Sequence, residues 1–452
     1  MSFKTYALED VLEITSSKRI KMADYVQSGI PFYRSKEIIE KSNNQPVSTD
    51  IFITCEHFDK IKMKFGAPEA GDILLTSVGT LGVSYQVSDD DLFYFKDGNL
   101  TWFRNFNNRV LSGYIYCWLK SPSARKKLDE ISIGTTQRAL TIASLKKILI
   151  KIPSLDVQKK IVFIYESLSK KIINNGKINQ TLEQMAQVLF KSWFVDFEPV
   201  KAKIAVLEAG GSQEDATRAA MTAISGKDAH ALAVFEREHP EQYAELKTTA
   251  ELFPSAMQDS ELGEIPAGWR TAIVESVINR LKVKNTFPAD CIKLFGQHPV
   301  LEQGAKIYQG YHDEEPSFNA SLQSPMFIFG DHTCVMHLST VPFDISKNTL
   351  VLKGKIFNTY WTFFALKGKQ KFQEYKRHWS DLKVKQVVIP DENNGLLLTN
   401  YFASKCENLF GLLEQNRKQN LILQNTRDTL LPKLLSGEIT LPEAEQIISE
   451  EA

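Results

Sequence analysis

Two long stretches of the chain repeat their mainly apolar residues at alternating steps of four and three. In the first stretch these positions are Val157, Ile161, Ile164, Leu168, Lys171, Asn175, Ile178, Leu182, Met185 and Leu189. In the second they are Phe402, Cys406, Leu409, Leu413, Asn416, Asn420, Leu423, Arg427, Leu430 and Leu434. This spacing is the heptad pattern of a coiled coil, so it predicts two long helices that pack along these faces.

Both predicted faces turn polar at the same two places. Lys171 and Asn175 interrupt the first face, and Asn416 and Asn420 interrupt the second. Helices packed antiparallel about a pseudo-twofold axis would bring these residues together at the centre, where a polar residue fixes the register. The alternative is that each helix packs only on its own domain. The interface is predicted to contain Leu168, Lys171, Asn175, Ile178, Leu182, Leu413, Asn416, Asn420 and Leu423.

The segments that precede the two helices indicate an internal duplication. Each ends in a short β-rich run closed by a proline, Pro153 in the first and Pro390 in the second. Short apolar runs predict strands at 72–77, 82–87, 92–95, 100–104, 325–330, 335–338 and 349–352. The predicted fold class is α+β: two α/β, β-rich domains separated by two long antiparallel coiled-coil helices, with an internal pseudo-twofold duplication.

This organisation divides the chain into six predicted parts. They are a first domain at 1–153, a first spacer helix at 154–196, a linker with short helices at 197–264, a second domain at 265–392, a second spacer helix at 393–440, and a C-terminal tail at 441–452.

Composition adds few constraints. The chain has 54 Lys and Arg against 54 Asp and Glu, but residues 196–269 hold 14 acidic residues against 6 basic ones. The remainder is therefore modestly basic, which is compatible with nucleic-acid binding through local loops and equally with ordinary solvated surface. Five scattered cysteines and the lack of a long apolar run predict a cytoplasmic protein without a membrane span.

Motifs of known chemistry are missing from the sequence. It contains no phosphate-binding G-x-x-x-x-G-K-[ST] loop, no G-x-G-x-x-G, no Pro-Pro pair, no H-E-x-x-H and no G-x-S-x-G. His332, Cys334 and His337 lie close in sequence, but strand alternation places Cys334 and His337 on opposite faces. We therefore predict neither a catalytic residue nor a metal site in this chain.

Several loops instead combine basic residues with hydroxyl, amide and aromatic side chains. Arg and Lys can donate to guanine, Gln to adenine, and hydroxyl groups to phosphates. The candidate DNA contacts are Lys18, Arg19, Arg34, Ser35, Lys36, Thr80, Thr136, Gln137, Arg138, Gln309, Tyr311, His312, His332, Thr333 and Arg377.

The whole chain resembles the specificity subunits of type I restriction–modification systems. The stretches that carry the likeness are Gly71-Asp72-Ile73-Leu74, Gly134-Thr135-Thr136-Gln137-Arg138, Pro153 with Gln158, Lys191-Ser192-Trp193-Phe194-Val195-Asp196-Phe197, Glu264-Ile265-Pro266-Ala267-Gly268-Trp269 and Leu431-Pro432-Lys433-Leu434-Leu435-Ser436-Gly437-Glu438-Ile439.

The resemblance implies that both domains are target-recognition domains, each reading one half of a split double-stranded DNA target. The helices would set the number of base pairs between the halves. Two modification subunits would dock on the helices and methylate adenine with S-adenosylmethionine. Restriction subunits would add ATP- and Mg-dependent translocation and cleavage. No cofactor is expected in this chain itself.

One departure from the family pattern bears on the target. The second domain lacks the Gly-Asp-Ile-Leu segment and carries Met326-Phe327-Ile328-Phe329-Gly330-Asp331 instead, so we expect two different half-sites and an asymmetric target. Two alternatives stay open at this point: an assembly scaffold without DNA reading, and an enzyme of unknown motif.

Overall fold

The computed structural model describes residues 2–134, 138–283, 286–304 and 306–451. These residues form two compact units. The first unit contains the chain up to residue 175 together with residues from 419 onward, and the second contains residues 176–418. No helix among the described residues is both long and apolar enough to cross a bilayer.

The strands are short and fall in two groups. The first group is β1 (Lys4–Ala7), β2 (Glu13–Thr15), β3 (Ile30–Tyr33), β4 (Phe52–Ile53), β5 (Ile73–Thr76), β6 (Ser84–Gln86), β7 (Tyr94–Phe95), β8 (Leu100–Arg104) and β9 (Leu149–Ile152). The second group is β10 (Met257–Gln258), β11 (Ile265–Pro266), β12 (Arg270–Ile273), β13 (Ile278–Arg280), β14 (His298–Leu301), β15 (Tyr308–His312), β16 (Met326–Gly330), β17 (Met336–Ser339), β18 (Asp344–Ile345), β19 (Thr349–Gly354) and β20 (Gln386–Ile389). Each of the seven predicted strands overlaps an observed one.

The helices include the two long ones that the heptad pattern predicts. In chain order they are α1 (Ser35–Ser42), α2 (Cys55–Phe65), α3 (Ser112–Lys120), α4 (Pro122–Ile131), α5 (Ile142–Lys146), α6 (Leu155–Phe194), α7 (Glu198–Glu208), α8 (Gln213–Ser225), α9 (Ala229–Glu238), α10 (Pro240–Glu251), α11 (Val274–Val277), α12 (Thr359–Leu366), α13 (Trp379–Leu382), α14 (Asn394–Ser436) and α15 (Leu441–Glu451).

Local sequence explains several helix boundaries. The hydroxyl of Ser121 accepts a hydrogen bond from the backbone N–H of Ala124 at 3.2 Å, and Pro122 occupies the first turn of α4, where its missing N–H is not needed. Helix α8 ends at Gly226, whose φ of 68° is a left-handed conformation that glycine adopts without strain. These signals delimit the helices before any tertiary contact is considered.

The first unit contains three small sheets. A four-stranded antiparallel sheet has the order β2-β8-β5-β6. A three-stranded sheet has the order β4-β3-β7, in which β3 and β7 are parallel. Strand β1 pairs with β9, so the first and last strands of the domain lie side by side.

The second unit repeats this plan. Its four-stranded antiparallel sheet has the order β13-β19-β16-β17, and its three-stranded sheet β15-β14-β18 again contains one parallel pair, β14 with β18. Strand β12 pairs with β20 as β1 pairs with β9. Strand β16 therefore occupies the position of β5, although its sequence lacks the Gly-Asp-Ile-Leu segment.

In the first unit, the N-terminal part of α6 packs antiparallel to the C-terminal part of α14. Ile161, Ile164 and Leu168 share one buried core with Leu423, Leu430 and Leu434. The Asn175 side chain is buried and donates from Nδ2 to Oδ1 of Asn420 at 2.9 Å and to Oε1 of Gln419 at 2.8 Å. Asn420 donates in turn to the carbonyl of Ile172.

In the second unit, the other parts of the same two helices also pack antiparallel. Asn416 donates to Oδ1 of Asn179 at 2.9 Å, and Asn179 donates to the carbonyl oxygen of Leu413 at 3.2 Å. Leu182 and Leu413 belong to the core of this unit. The predicted meeting of mid-helix asparagines is thus observed, with Asn179 as the partner of Asn416.

Two residues predicted at the helix interface lie outside it. Lys171 and Ile178 are exposed, and the buried or half-buried positions are Ile172, Asn175, Asn179, Leu182 and Ala186. The heptad pattern assumes 3.5 residues per turn, whereas an α-helix has 3.6, so a strict heptad drifts by about 20° each repeat. The helix therefore turns Ile172 and Asn179 inward in place of Lys171 and Ile178, while Asn175 and Leu182 are buried as predicted.

The second unit also contains an aromatic core that joins two motifs of the sequence. Trp193, Phe194 and Phe197 come from the end of α6 and the residues after it, and all three are buried. The ring of Trp269, at the entry to the second domain, stacks on Phe194 at a centroid distance of 6.0 Å and meets the edge of Phe197 at 5.7 Å. The motif at the end of α6 and the motif at the entry to the second domain therefore pack against each other.

We predict that Asn175→Ala lowers the free energy of unfolding of the full-length chain by about 1–3 kcal/mol, because the acceptor oxygens of Asn420 and Gln419 lose their donor in a buried position. Asn174→Ala, on the exposed side of the same turn, is the matched control, with the same gain in helix propensity. Urea unfolding of both variants measures the difference, and equal stabilities would contradict the role of Asn175.

Candidate nucleic-acid interface

The first unit brings Thr80 and Arg138 to the same edge. Thr80 is exposed in the turn between β5 and β6, and the adjacent Gly79 lies with its N–H 3.4 Å from the carbonyl oxygen of Arg138. The Arg138 guanidinium donates to Oγ of Ser132 and lies 3.0 Å from a carboxylate oxygen of Asp129. Thr136 and Gln137, predicted in the same loop, lie outside the described residues.

Lys18 and Arg19 are exposed on a loop that the core holds in place. The backbone N–H of Lys18 donates to the hydroxyl of Tyr94 at 2.8 Å, and the ammonium group lies 5.1 Å from the centre of the Phe65 ring. The backbone is thus fixed while both charged groups remain at the surface.

Arg34 is engaged in a structural ion pair. Its guanidinium lies 2.7 Å from Oε1 of Glu37, which is fully buried, and 3.1 Å from the carboxylate of Asp50. The hydrogen bond to Glu37 raises the pKa of Arg34 above its ordinary value. The guanidinium therefore holds the first turn of α1 and is not an uncommitted donor for a base.

The two neighbours of Arg34 differ. The Ser35 hydroxyl oxygen is buried, so the structure corrects the prediction that it contacts DNA. Lys36 is exposed, with its ammonium group 3.9 Å from the carboxylate of Glu40. Lys36 is thus the residue of this segment that presents a charge to solvent.

Strand alternation separates the predicted contacts on β15. Gln309 and Tyr311 are half-buried, while His312 points to the face opposite its neighbour Tyr311 and is buried. The His312 ring stacks on Phe287 at a centroid distance of 4.1 Å, and its Nε2 lies 3.1 Å from a carboxylate oxygen of Asp344. The prediction that His312 contacts DNA is therefore wrong, because its side chain belongs to the core.

A half-buried polar cluster lies beside Gln309. The hydroxyl of Tyr308 and Nε2 of His337 are 3.0 Å apart, and the Arg417 guanidinium of α14 lies 5.0 Å from the centre of the Tyr308 ring. Burial, reinforced by the charges of Arg417 and Lys367, holds the pKa of His337 well below its ordinary value. A neutral His337 thus helps to fix β15 next to the helix, a contact that sequence spacing did not indicate.

The tight turn between β16 and β17 gathers the remaining predicted residues. His332 and Thr333 lie in this turn, and Nε of Arg377 lies 4.0 Å from the carboxylate of Asp331. Gln303 accepts a hydrogen bond from the His332 N–H at 3.0 Å. The structure therefore groups His332, Thr333 and Arg377, and adds Gln303 and Asp331, which the sequence analysis missed because isolated polar residues carry no spacing signal.

The positions of the histidine and cysteine side chains bear on metal binding. Within the described parts of the chain, no group of three or more His, Cys, Asp or Glu side chains is arranged to hold a metal ion. His337 is directed to Tyr308, whereas His332 lies in the β16–β17 turn with Cys334, whose φ is 59°.

We predict that Arg34→Ala lowers the free energy of unfolding by about 1–3 kcal/mol, because the buried Glu37 carboxylate loses a donor. Arg19→Ala, which removes the same charge from an exposed position, should change it by less than about 0.5 kcal/mol. Chemical unfolding of the two variants distinguishes them. Equal losses would show that Arg34 is no more structural than Arg19.

Known proteins with similar sequences share one description. Residues 2–184 match the model of the type I restriction modification DNA specificity domain. The chain is 29% identical over 438 residues to the type I restriction enzyme HindI specificity subunit of Haemophilus influenzae, covering 88% of this chain and 93% of that protein. It is 26% identical over 389 residues to the MjaIX specificity subunit of Methanocaldococcus jannaschii, covering 82% and 78%.

One solved structure aligns with nearly the whole chain. The type I restriction–modification S subunit from M. genitalium aligns over 96% of both chains, with 13% identity and a TM-score of 0.49. The family model and the two relatives over most of their length agree with the motifs and the duplicated fold. Over most of its length the chain is therefore similar to type I restriction–modification specificity subunits, and its first part matches their DNA specificity domain.

Proposed function

We propose that this chain reads a bipartite, asymmetric target in double-stranded DNA. The recognition domains are 1–153 and 265–392, and the spacer helices are 154–196 and 393–440. The linker is 197–264 and the tail is 441–452. The observation that carries the proposal is the repeated sheet plan, β2-β8-β5-β6 in one unit and β13-β19-β16-β17 in the other. Two copies of one reading domain account for two half-sites.

Different loops on the same framework account for the asymmetry. In the first unit the β5–β6 turn presents Thr80 beside Arg138, whereas in the second the β16–β17 turn presents His332 and Thr333 beside Arg377. We assign the DNA contacts to Lys18, Arg19, Lys36, Thr80, Thr136, Gln137, Arg138, Gln309, Tyr311, His332, Thr333 and Arg377. Basic groups supply a salt-dependent contact with phosphates, and the amide and hydroxyl groups discriminate bases.

The paired helices set the number of base pairs between the half-sites. Asparagine contacts fix their register in each unit, Asn175 with Asn420 in one and Asn179 with Asn416 in the other. A helix of fixed register has a length that depends only on its residue count, at 1.5 Å per residue. Such an element suits the role of a spacer.

The complex contains partner subunits that perform the chemistry. Two modification subunits dock on the helices, bind S-adenosylmethionine and methylate adenine, and restriction subunits use ATP and Mg in the cytoplasm. Exposed apolar residues along α6 support this docking, because apolar side chains in contact with water mark surfaces that bind other proteins. These residues are Phe163, Ile178, Met185 and Val188.

Mapping methylated adenines in cells that express the complex tests this function directly. The proposal expects methylation at one split motif with two different half-sites. A continuous or palindromic motif, or no methylation that depends on this chain, would favour an assembly scaffold without DNA reading.

The spacer role gives a sharper prediction. Four residues inserted into α6 after Asn175, together with four inserted into α14 after Lys418, lengthen both helices by about 6 Å, or one to two base pairs at 3.4 Å each. The mapped motif should keep both half-sites and gain that number of unread base pairs. The control inserts the same four residues between Gly210 and Gly211, outside the long helices, and should leave the motif unchanged. An unchanged motif in the helix variant would refute the spacer role.

A further inference from the structure

One loop of the second unit is exposed along its entire length. Residues 371–377, Lys-Phe-Gln-Glu-Tyr-Lys-Arg, form neither helix nor strand, and all seven are exposed. We call this segment the 371–377 loop. Within it Tyr375 has a relative exposure of 104%, the highest among the large apolar and aromatic residues that the structure describes.

The base of this loop is nevertheless well anchored. His378 is fully buried, and its Nε2 lies 3.2 Å from the carbonyl oxygen of Gln373 while its Nδ1 lies 3.3 Å from Nε2 of Gln370. The His378 N–H donates to the carbonyl oxygen of Asp331 at 2.8 Å. The loop therefore wraps around a core histidine and is tied to the β16–β17 turn.

Tyr375 has an unfavourable backbone conformation as well as an exposed ring. Its φ of 58° lies in the left-handed region, which costs a bulky L-residue about 1–2 kcal/mol relative to glycine. An aromatic ring in water also forgoes the burial that normally stabilises it. Neither feature contributes to the fold, and uncommon backbone conformations of this kind concentrate at sites that bind ligands.

The surroundings of Tyr375 are strongly basic. Residues 367–385 contain seven Lys or Arg and two acidic residues. Lys371 and Arg377 are exposed in the loop itself, and Arg377 reaches the turn that carries His332 and Thr333. An exposed aromatic ring flanked by cations is the combination that binds nucleic acid through phosphates and base stacking together.

We propose that Tyr375 inserts its ring into the base stack of the DNA bound by the second unit, with the 371–377 loop acting as a wedge. The cations beside it bind the phosphates on either side and place the ring against the bases. The inserted ring unstacks one base step, so sequences that unstack easily are preferred there without a hydrogen bond to any base. This inference rests on the proposed DNA-reading function.

Two substitutions at Tyr375 separate the ring from the backbone. Tyr375→Phe keeps the ring, and Tyr375→Asn removes it while introducing a residue that tolerates a positive φ. Because the side chain is wholly exposed, both variants should fold. Leu262→Asn, at an exposed apolar position of the linker in the same unit, is the matched control for lost apolar surface.

The experiment uses the full-length chain in its assembled complex and a short duplex that carries the mapped target. 2-Aminopurine is placed in turn at each position of the second half-site except the mapped methylated adenine, because a methyltransferase extrudes that base by itself, and its fluorescence reports unstacking. The natural chain, Tyr375→Phe and Leu262→Asn should all raise the fluorescence at one step. Tyr375→Asn should abolish that signal and weaken binding roughly 5- to 150-fold, as for loss of one stacked base.

Salt dependence provides a second readout. Tyr375→Asn should leave the slope of log affinity against log salt unchanged, because no charge is removed, whereas Lys371→Ala should reduce it by about 1.

Two outcomes would overturn the inference while leaving DNA reading intact. One is specific binding by the natural chain with no unstacked base, and the other is a signal that persists in Tyr375→Asn. If the natural complex shows no salt-dependent binding to the target duplex, the proposed function fails together with this inference.

Discussion

The contact on which the chain depends is the pairing of asparagine side chains between its two long helices. Isoleucine and leucine faces alone would pack almost equally well after a shift of one heptad. A shifted register would leave the buried Asn175 amide of the first unit without its partners, at about 1–3 kcal/mol, and would break the half-buried Asn179 contact of the second. The proposed reading of a split target needs one register rather than maximal stability, and a few amides in the helix interface provide it.

The sheets are alike in the two units and their connections differ, which fits the proposal that one fold reads two half-sites. Both units keep the order of the four-stranded sheet and the pairing of first with last strand. The β5–β6 and β16–β17 connections leave the sheet at equivalent places but differ in sequence and hydrogen bonding. Since sheet pairing depends on the backbone and on the buried face, exposed turn residues can change without altering the framework.

The sequence predicts the framework better than the site, for physical reasons that particular residues show. Apolar periodicity indicates both helices and the main strands, because burial repeats along an element. It misplaced Ile178, because a strict heptad drifts around a helix of 3.6 residues per turn. It could not reveal that Asp344 and Phe287 enclose His312, because these residues are distant in the chain. The Arg34–Glu37 pair is local, but apolar periodicity does not show that the Glu37 carboxylate is buried.

Charge distribution connects this framework to selectivity. Non-specific affinity for DNA grows with the number of phosphates that a protein neutralises. A chain with 54 basic and 54 acidic residues, whose segment 196–269 is acidic, gains little from such attraction over its whole surface. Cations are concentrated at residues 367–385, beside the β16–β17 turn to which we assign base contacts. In the proposed function, these cations reach phosphates only when the turn beside them reaches the bases. Their attraction therefore adds to binding at the correct site more than to binding at random DNA.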